Sequence, residues 1–445
     1  MRFDPHAISD FARQHEFHYE LCDPFVLIED FKAEMDRGLN GKASSLAMIP
    51  SYLKPLSRLP PNKTVIALDA GGTNFRASRV RFTESGEAAA EGTRKIPMPG
   101  TRGRVGALEF FDEMVSTIIP LLDAGPVAGM GFCFSYPAEI TEDTDGRLLQ
   151  FTKEVDAPEL VGCLVGKGLR EALKRRGVEF GGRIVVLNDT VSTLLAGLVG
   201  IPGGGWGQPG PAVGFILGTG INIAYIETSI PKIGFSSVEF PQVAVTESGN
   251  FAWRYRGSLD LCFDKTTRNP GVYTLEKASA GAYLGPLSLM VFKQAISDGL
   301  LKFRRAGELE ALAHLETKDL NAFMKNPLDR ENPLGKLFDD DEGDAARTVI
   351  YLAWIITERA GLLTASMLSA TAEHIAAGPG LTSYDPASPL RIAVEGTTYV
   401  AYQGLRRSLE SQLHRLLTAK FPRSYSISPV EHASLFGAAA AALSA

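Results

Sequence analysis

The sequence contains few cysteines and no excess of basic residues. Its four cysteines, Cys22, Cys133, Cys163 and Cys262, are scattered along 445 residues without a CxxC pair. This usage favours neither a disulfide framework nor a cysteine-based zinc site. Lysine and arginine number 45 against 51 aspartates and glutamates, so the net charge is 45 − 51 = −6. A protein that coats nucleic acid needs a basic face, and we therefore expect no nucleic-acid partner.

Long hydrophobic runs are absent as well. No window of 18 apolar residues occurs, because the best candidate, residues 351–368, is interrupted by Glu358 and Arg359. The first residues lack the basic segment followed by an apolar one that marks a secretory signal. We therefore expect no membrane partner and a cytoplasmic location.

Common catalytic signatures are missing or out of context. A GxGxxG match at residues 205–210 follows a loop and precedes a strand, and Pro209 blocks the helix that a dinucleotide-binding turn requires. The P-loop pattern GxxxxGK[ST] does not occur. The seven histidines lie away from the Gly-rich turns, apart from His432, so we do not expect a histidine general base.

Glycine is the residue in excess, at 45 of 445, or roughly a tenth against an average of ~7%. Part of the excess fills a loop at residues 200–210. The informative part lies in two turns between short apolar runs, DAGGTN at residues 69–74 and GTGIN at residues 218–222. This pattern predicts two strand–turn–strand units.

An ungapped overlay of the two turns pairs Gly72 with Gly220 and Asn74 with Asn222. The shared spacing suggests an internal duplication that produces two α/β lobes facing each other. The length agrees, since 445 residues are enough for two or three domains.

The turns can carry phosphate chemistry. Their glycines let backbone N–H groups approach an anion, and Asp69 at a strand end can orient Mg²⁺ and its waters. Residues 218–220 can do the same from the opposite lobe, although each turn alone also fits a plain hairpin. Asn188 and Asp189 follow the apolar run 184–187, a position where α/β folds place chemistry, with helix capping as the competing role for Asp189.

Taken in order, seven segments resemble the eukaryotic-type hexokinase family in its single-unit form, part of the actin-like ATPase and sugar-kinase superfamily. The segments are residues 67–76 (ALDAGGTNFR), 134–137 (FSYP), 146–153 (GRLLQFTK), 187–194 (LNDTVSTL), 218–222 (GTGIN), 246–249 (TESG) and 269–277 (NPGVYTLEK).

The resemblance implies an α/β class, two-lobed actin-like ATPase (ribonuclease H-like) fold, with duplicated mixed β-sheet cores and a central cleft. It implies four parts in chain order. These are a helical N-terminal part of the large domain (1–59), a small α/β domain (60–187), a large α/β domain (188–428) and a C-terminal helix that returns to the small domain (429–445).

The implied reaction transfers the γ-phosphoryl group of MgATP to the 6-hydroxyl of glucose or a related hexose, with Asp189 as general base and Lys153 stabilising charge. The implied sugar ligands are Ser135, Thr152, Lys153, Asn188, Asp189, Asn222, Glu247 and Glu276. The residues implied to hold ATP and Mg²⁺ are Asp69, Gly71, Gly72, Thr73, Asn74, Arg76, Gly218, Thr219, Gly220, Gly396 and Thr397. A monomer or homodimer is expected, and sugar binding is expected to close the lobes.

The chain also departs from the family pattern. Phe151 replaces the family's tryptophan, Glu154 replaces a glycine, and residues 428–434 lack the usual Gly-Ser-Gly-rich sequence on the adenosine side. Two alternatives stay open, a sugar sensor without transfer activity and a family kinase that prefers fructose or mannose. Retention of Asp189, Lys153 and both phosphate turns favours an enzyme.

Overall fold

The computed structural model describes residues 2–54, 60–84, 88–151, 155–199, 211–237, 241–377, 389–420 and 424–444. Two predicted site residues, Thr152 and Lys153, lie outside the described residues, as do Glu154 and the GxGxxG match at 205–210. Every other predicted site residue lies within the described segments.

The strands are β1 (Ile49–Pro50), β2 (Thr64–Ala70), β3 (Asn74–Phe82), β4 (Ala88–Pro97), β5 (Gly129–Phe134), β6 (Ala138–Ile140), β7 (Gly146–Leu148), β8 (Arg183–Leu187), β9 (Ala212–Leu217), β10 (Ile221–Glu227), β11 (Ser229–Ile230), β12 (Phe235–Ser236), β13 (Gln242–Val245), β14 (Leu390–Glu395) and β15 (Tyr425–Pro429). The α-helices are α1 (Pro5–Gln14), α2 (Pro24–Leu39), α3 (Ala107–Leu122), α4 (Val165–Arg175), α5 (Asp189–Val199), α6 (Ser258–Thr266), α7 (Thr274–Ser279), α8 (Leu284–Ser297), α9 (Ala306–Ala311), α10 (Thr317–Lys325), α11 (Gly343–Ala377), α12 (Thr397–Ala401), α13 (Gln403–Lys420) and α14 (Ala433–Ser444).

Two mixed sheets form the cores of the two lobes. The first has the strand order β4-β3-β2-β5-β8 and the second β1-β13-β10-β9-β14-β15. In each, the first strand of a Gly-rich hairpin lies at the centre, antiparallel to its hairpin partner and parallel to a later strand. The central strands are apolar along almost their whole length because both faces of the sheet are covered. The predicted α/β class with duplicated mixed sheets is confirmed.

The ungapped overlay of the two turns is wrong by one residue. Ala70 pairs with Phe75 across the first turn, which leaves four residues (71–74) between them. Leu217 pairs with Ile221 across the second, which leaves three (218–220). The second turn is shorter by one residue, so no ungapped overlay matches the paired strands on both sides of it, and pairing Gly72 with Gly220 places Ala70 on Gly218, one residue past the last paired residue Leu217.

The N-terminal region is not wholly helical. After α1 and α2, Ile49 and Pro50 form strand β1 at the edge of the second sheet, paired with Val245 and Ala244. Proline is tolerated there because an edge strand leaves one side of its backbone without a ladder partner. The N-terminal segment therefore contributes to the large-lobe sheet as well as covering it.

Two helical segments precede β8, separated by a turn. Residues Pro158–Leu160 form a separate 3₁₀ turn, and Gly162 adopts φ = 86° before α4 starts at Val165. The left-handed glycine stops one helical segment and reorients the chain for the next.

The helix α11 runs through the core of the large lobe. In the part of the chain that the structure describes, one helix, Gly343–Ala376, has the length and composition to cross a membrane. In its most apolar 18-residue stretch, however, 78% is buried inside the fold. It packs against α13, α2 and α8. Such burial is typical of a core helix, and Arg359 within it is 1% exposed because its side chain pairs with Asp260.

The C-terminal helix α14 lies between the two sheets. It packs on α5 and on strands β2 and β5 of the first sheet, although β15 just before it belongs to the second. A Cβ on Gly437 would lie 1.9 Å from the Ser192 carbonyl oxygen, so only glycine permits this approach of α14 to α5. Ser192 Oγ donates to the backbone oxygens of Ala433 (3.0 Å) and Ser434 (2.9 Å). The predicted domain boundaries themselves stay a prediction.

Candidate active site

The carboxyl ends of three parallel strands of the first sheet bring together its predicted site residues. Asp69 in β2 pairs in register with Cys133 in β5, which in turn pairs with Leu187 in β8. Ser135 directly follows β5, and Asp189 follows β8 by two residues. Side chains at the carboxyl edge of such a sheet share one crevice, as the sequence predicted.

Asn188, rather than Asp189, caps the helix that follows. Asn188 Oδ1 accepts a hydrogen bond from Val191 N at 2.8 Å, which is the bond that defines an N-cap. Its Nδ2 group remains the part of that side chain able to donate to a ligand. Asp189 occupies the first position of α5 and is partly buried, with Thr190 Oγ1 donating to its Oδ1 at 3.2 Å. Helix capping, the alternative role considered for Asp189, is therefore carried out by Asn188.

The first Gly-rich turn is tied to the strand beside it. Gly71 N donates to Asn74 O at 3.1 Å, and the Tyr136 hydroxyl donates to Gly71 O at 2.8 Å. Asp69 lies at the base of the turn with its carboxylate 3.8 Å from the Arg76 guanidinium on the opposing strand. Gly72 and Thr73 complete the turn, and the Thr73 side chain is exposed. The turn thus presents backbone amides and one cation beside one carboxylate, a combination suited to a phosphate with Mg²⁺.

The second turn touches the turn at Gly396 and Thr397, two of the residues implied to hold ATP and Mg²⁺. Gly396 has φ = 131°, and a Cβ there would lie 2.3 Å from Leu217 O, so the contact requires glycine. Thr398 Oγ1 donates to Gly218 O at 2.7 Å, and Gly218 N donates to Gly220 O at 2.9 Å. Both predicted turns of the large lobe therefore form one surface, which also carries the exposed Thr219 and Thr397 at its rim.

Asn222 and Glu247 form a preorganised pair. Asn222 Nδ2 donates to Glu247 Oε1 at 2.8 Å, while Asn222 Oδ1 accepts from Ile223 N at 2.8 Å. Glu247 itself has φ = 57°, a left-handed conformation that is uncommon outside glycine and often marks functional sites. Burial raises the pKa of Glu247, and the negative charge of Asp189 raises it further. Glu247 therefore lies within the electrostatic reach of Asp189.

Glu276 faces the same region from α7. Its Oε2 accepts a hydrogen bond from Ile221 N at 3.1 Å, which places the carboxylate beside the second turn. Burial raises the pKa of Glu276 to about 7, and the charge of Glu247 also raises it, against the lowering effects of the Ile221 amide and Lys277. A carboxyl group with this pKa is costly to ionise and favours ligands that donate hydrogen bonds to it.

Glu395, at the carboxyl end of β14, was missed among the predicted site residues. Burial raises its pKa to about 7, Asp189 and Asp69 raise it further, and Arg76 and a bond from Thr193 lower it. Thr193 Oγ1 lies 3.1 Å from Glu395 Oε2 and 2.9 Å from the Asp189 carbonyl oxygen. The Thr193 hydroxyl can donate to either oxygen, and the bond that it donates to Glu395 favours the ionised carboxylate. The signal was available, since Glu395 directly follows an apolar strand as Asn188 does.

The carboxylates of both lobes converge on one region. Cys133 is fully buried; burial raises the pKa of its thiol, and the charges of Asp69, Asp189 and Glu395 raise it further. Because Asp69 and Asp189 come from the first sheet and Glu395 from the second, the crevice lies between the lobes. This is the central cleft implied by the sequence.

The residues present suit Mg²⁺ bound together with a nucleotide. Kinases usually hold Mg²⁺ through one or two carboxylates and the substrate phosphates. Asp69 and Asp189 supply hard oxygen ligands on the same edge of the first sheet, next to a turn of backbone amides. Among the described residues no group of three or more His, Cys, Asp or Glu side chains is arranged to hold a metal ion.

Substitution of Glu276 by glutamine is expected to stabilise the fold as pH rises. Because the folded-state pKa of Glu276 is raised to about 7 from an ordinary 4.5, the stability it contributes is present below pH 4.5 and lost as pH rises through 7. Glutamine does not titrate and still offers an oxygen to Ile221 N. We expect Glu276→Gln to gain about 1–3 kcal/mol relative to the wild type between pH 5 and pH 8.

Urea denaturation at the two pH values measures this difference. Glu310→Gln, the same change at an exposed position on α9, is the matched control and should show no such gain. A stability difference for Glu276→Gln that is the same at pH 5 and pH 8 would contradict the expectation.

Comparisons with family profiles, known sequences and solved structures all match this chain to hexokinases. Two family profiles, both described as Hexokinase, match residues 8–199 and 212–444. Hexokinase-1 of Oryza sativa subsp. japonica is 30% identical over 410 residues, covering 86% of this chain and 80% of that protein. Hexokinase-3 of Mus musculus is 27% identical over 416 residues, covering 90% of this chain but only 43% of the longer relative. A hexokinase from Schistosoma mansoni complexed with glucose matches the fold with a TM-score of 0.75, at 22% identity and 100% coverage of both chains.

Two mixed sheets with Gly-rich turns, and carboxylates in the cleft between them, define a two-lobed protein of the actin-like ATPase fold. The family profiles and the relative from Oryza sativa identify the family within this fold. The chain belongs to the hexokinase family, whose members transfer a phosphoryl group from ATP to a hexose. The resemblance stated from the sequence is confirmed, while the roles of individual site residues stay predictions.

Proposed function

We propose that this protein phosphorylates the 6-hydroxyl of glucose, or of a closely related hexose, with MgATP as donor and Asp189 as general base. The observation that carries the proposal is the placement of Asp189 at the carboxyl edge of the first sheet, with its capping role taken over by Asn188. The glucose complex of the Schistosoma mansoni relative supports the choice of hexose.

The polar groups of the cleft match the chemistry of a sugar. A hexose presents only hydroxyl groups, each able to donate and to accept a hydrogen bond. Asn222 and Glu247, fixed by their mutual bond, and Glu276 together offer amide donors and carboxyl acceptors from the large lobe. Ser135 adds a hydroxyl from the small lobe, and Asn188 adds an amide at the boundary between the lobes. A buried polar site of this kind rejects analogues that lack a hydroxyl, since the unpaired groups are costly.

Asp189 would accept the proton of the 6-hydroxyl as its oxygen attacks the γ-phosphorus. The O–H bond of the sugar and the bond between γ-phosphorus and the β–γ bridging oxygen break, the new P–O bond forms, and ADP leaves. Asp189 lies in the first turn of α5, where the helix dipole favours negative charge. We also propose that Lys153 stabilises the negative charge that develops during the transfer.

The phosphates would lie between the two turns. The first turn contributes the backbone amide of Gly72 and the cation of Arg76, and the second contributes the exposed Thr219, while the amides of Gly71 and Gly218 hold the turns themselves together. Bound Mg²⁺ supplies positive charge that neutralises the phosphate oxygens. Fixed donors aimed at those oxygens lower the barrier because they need no reorientation during the reaction.

The experiment is ADP release measured with purified protein across glucose, mannose and fructose, with MgATP and with other nucleoside triphosphates. We expect glucose or mannose with MgATP to give the highest kcat/KM. Sugar binding by calorimetry without ADP release for any sugar would overturn the proposal in favour of a sugar sensor.

Lobe closure on sugar binding is a further expected result. Site residues come from both lobes, so one sugar can bond to all of them only if the lobes approach, and closure excludes water from the phosphoryl group. Small-angle scattering with saturating glucose should show a smaller radius of gyration than without sugar. Galactose, an epimer at C4, is the matched control, and an unchanged radius with bound glucose would contradict closure.

A cytoplasmic location is also proposed. All four cysteines are free thiols, and two of them, Cys22 and Cys133, are buried. Burial raises the pKa of Cys22 to about 11, so this thiol is poorly reactive. Unpaired thiols of this kind fit a reducing compartment.

A further inference from the structure

The carbonyl oxygen of Gly218, in the second Gly-rich turn, accepts hydrogen bonds from two other segments of the large lobe. Thr398 Oγ1 donates to it at 2.7 Å, and Gly281 N donates to it at 2.9 Å. A carbonyl oxygen has two lone pairs, so these two bonds use both of them. Ala282 N donates in addition to Thr219 O at 3.1 Å. The turn is therefore held by groups that lie outside its own hairpin.

These groups are packed without spare room. Gly281 lies between α7 and α8, and a Cβ added there would lie 2.1 Å from Thr398 Oγ1 and 2.7 Å from Gly218 O. The Thr398 side chain is 8% exposed, so little water competes for its hydroxyl. The junction of α7 and α8, the second turn and Thr398 therefore meet at one carbonyl oxygen.

The short helix α12, which carries Thr398, is itself anchored to two long helices. The Tyr399 hydroxyl donates to Glu410 Oε1 on α13 at 2.6 Å. The Tyr402 hydroxyl lies 2.8 Å from Thr357 Oγ1 on α11, and both tyrosines are buried. Thr398 therefore donates to the second turn from a base that is fixed to the large-lobe core.

We propose that Thr398 is a positioning residue that sets the spacing between the second turn and the turn at Gly396 and Thr397, so that both ends of one MgATP bind at once. The inference rests on the proposed function, which puts the phosphates at the second turn and leaves the nucleoside end for Gly396 and Thr397. Thr398 acts through the Gly218 carbonyl oxygen and not on the substrate. Its hydroxyl is the one side-chain group that bonds the first of these turns to the helix that follows the second.

Thr398→Val tests the hydroxyl, because valine has nearly the same shape and cannot donate. Gly281 N still bonds to Gly218 O in this variant, so no buried polar group loses its last partner. We expect the KM for MgATP to rise about 3- to 10-fold, the equivalent of one hydrogen bond, and the KM for glucose to stay within twofold. Thr398→Ser restores the donor and should keep both KM values within twofold of the wild type.

Two fragments of the nucleotide separate a change in spacing from a general weakening of the site. Adenosine and magnesium tripolyphosphate, used as competitive inhibitors against MgATP, each engage only one of the two turns. Their inhibition constants should therefore stay within twofold of the wild type in Thr398→Val. An inhibition constant for either fragment that rises as much as the KM for MgATP would overturn the inference, because the defect would then lie within one turn.

Thr371→Val is the matched control, because Thr371 is also buried and its hydroxyl donates to a backbone oxygen, Met367 O, at 3.0 Å within α11. It should leave all these constants unchanged. A wild-type KM for MgATP in Thr398→Val, or a Thr398→Ser variant as impaired as Thr398→Val, would overturn the inference and leave the proposed function intact.

If the wild type phosphorylates no hexose, the proposed function fails, and MgATP binding is then compared by calorimetry. Weaker binding by Thr398→Val that Thr398→Ser restores would still support the positioning role. Equal affinities of the wild type and Thr398→Val would overturn it.

Discussion

Asp189→Asn is expected to lower kcat by about 10²–10⁴-fold, the usual contribution of a general base. Asparagine keeps the size and hydrogen-bonding reach of the side chain but cannot accept the proton of the sugar hydroxyl at neutral pH. The loss should appear in kcat more than in the KM for the sugar, because the amide oxygen can still accept a hydrogen bond from the ground-state hydroxyl.

The fold should tolerate the change well. Asn188 makes the capping bond to Val191 N, so Asp189→Asn removes only the favourable charge at the start of α5, worth about 0.3–1 kcal/mol. Turnover by a coupled ADP assay and thermal unfolding together separate catalysis from stability. Asp123→Asn, the same substitution at the exposed end of α3, is the matched control and should keep full activity.

A purified Asp189→Asn variant with wild-type turnover would rule out Asp189 as the base. Glu395 would then be the group to test, since it is the other carboxyl of the cleft that lies within reach of Thr193 and α5. Its pKa of about 7 would suit proton transfer near neutral pH.

Local patterns in the sequence predicted the parts of the fold that depend on local chemistry. Apolar runs that end at Gly-rich turns identified the central hairpins of both sheets, because buried strands and tight turns each restrict composition. Asp69 and Asp189 were found for the same reason, since each stands where a buried strand ends.

Features that depend on the meeting of distant segments were not predictable in this way. The one-residue difference between the two hairpins is fixed by strand pairing, which a short overlay cannot detect. The apolar run before Glu395 marks it as a strand-end carboxyl, but its place near Asp189 is set by the pairing of β14 with β9. Thr398 acquires its contact with the second turn from a bond to Gly218, 180 residues earlier in the chain.

Arg359 is the clearest example of a residue whose role depends on a distant segment of the chain. In the sequence it is a charge that interrupts an apolar run, and nothing nearby names its partner. In the structure its guanidinium forms two bonds with Asp260, Nη1 to Oδ2 at 2.8 Å and Nη2 to Oδ1 at 2.7 Å, with 1% and 7% of the two side chains exposed. The Trp253 ring lies 5.6 Å from the guanidinium. The pair therefore joins α6, α11 and the loop that supports α7.

Asp260→Asn is expected to destabilise the protein by about 3–5 kcal/mol, because it leaves the buried guanidinium without a compensating charge. The measurement is the free energy of unfolding in urea. The exposed pair of Arg254 with Asp30 is the matched control. Asp30→Asn breaks it in solvent, where such pairs are worth about 0–1 kcal/mol.

The double variant Asp260→Leu with Arg359→Met decides what the pair contributes. Removing both charges avoids the unpaired ion, and apolar side chains of similar volume often match or exceed the stability of a buried ion pair. We expect the double variant to recover most of the stability that Asp260→Asn loses. Trp253 Nε1 would still bind Thr274 O in α7, so glucose affinity should also recover, since α7 carries Glu276. A double variant as unstable as the single one would instead mean that the pair's hydrogen-bond geometry, and not the avoidance of an unpaired charge, holds these helices together.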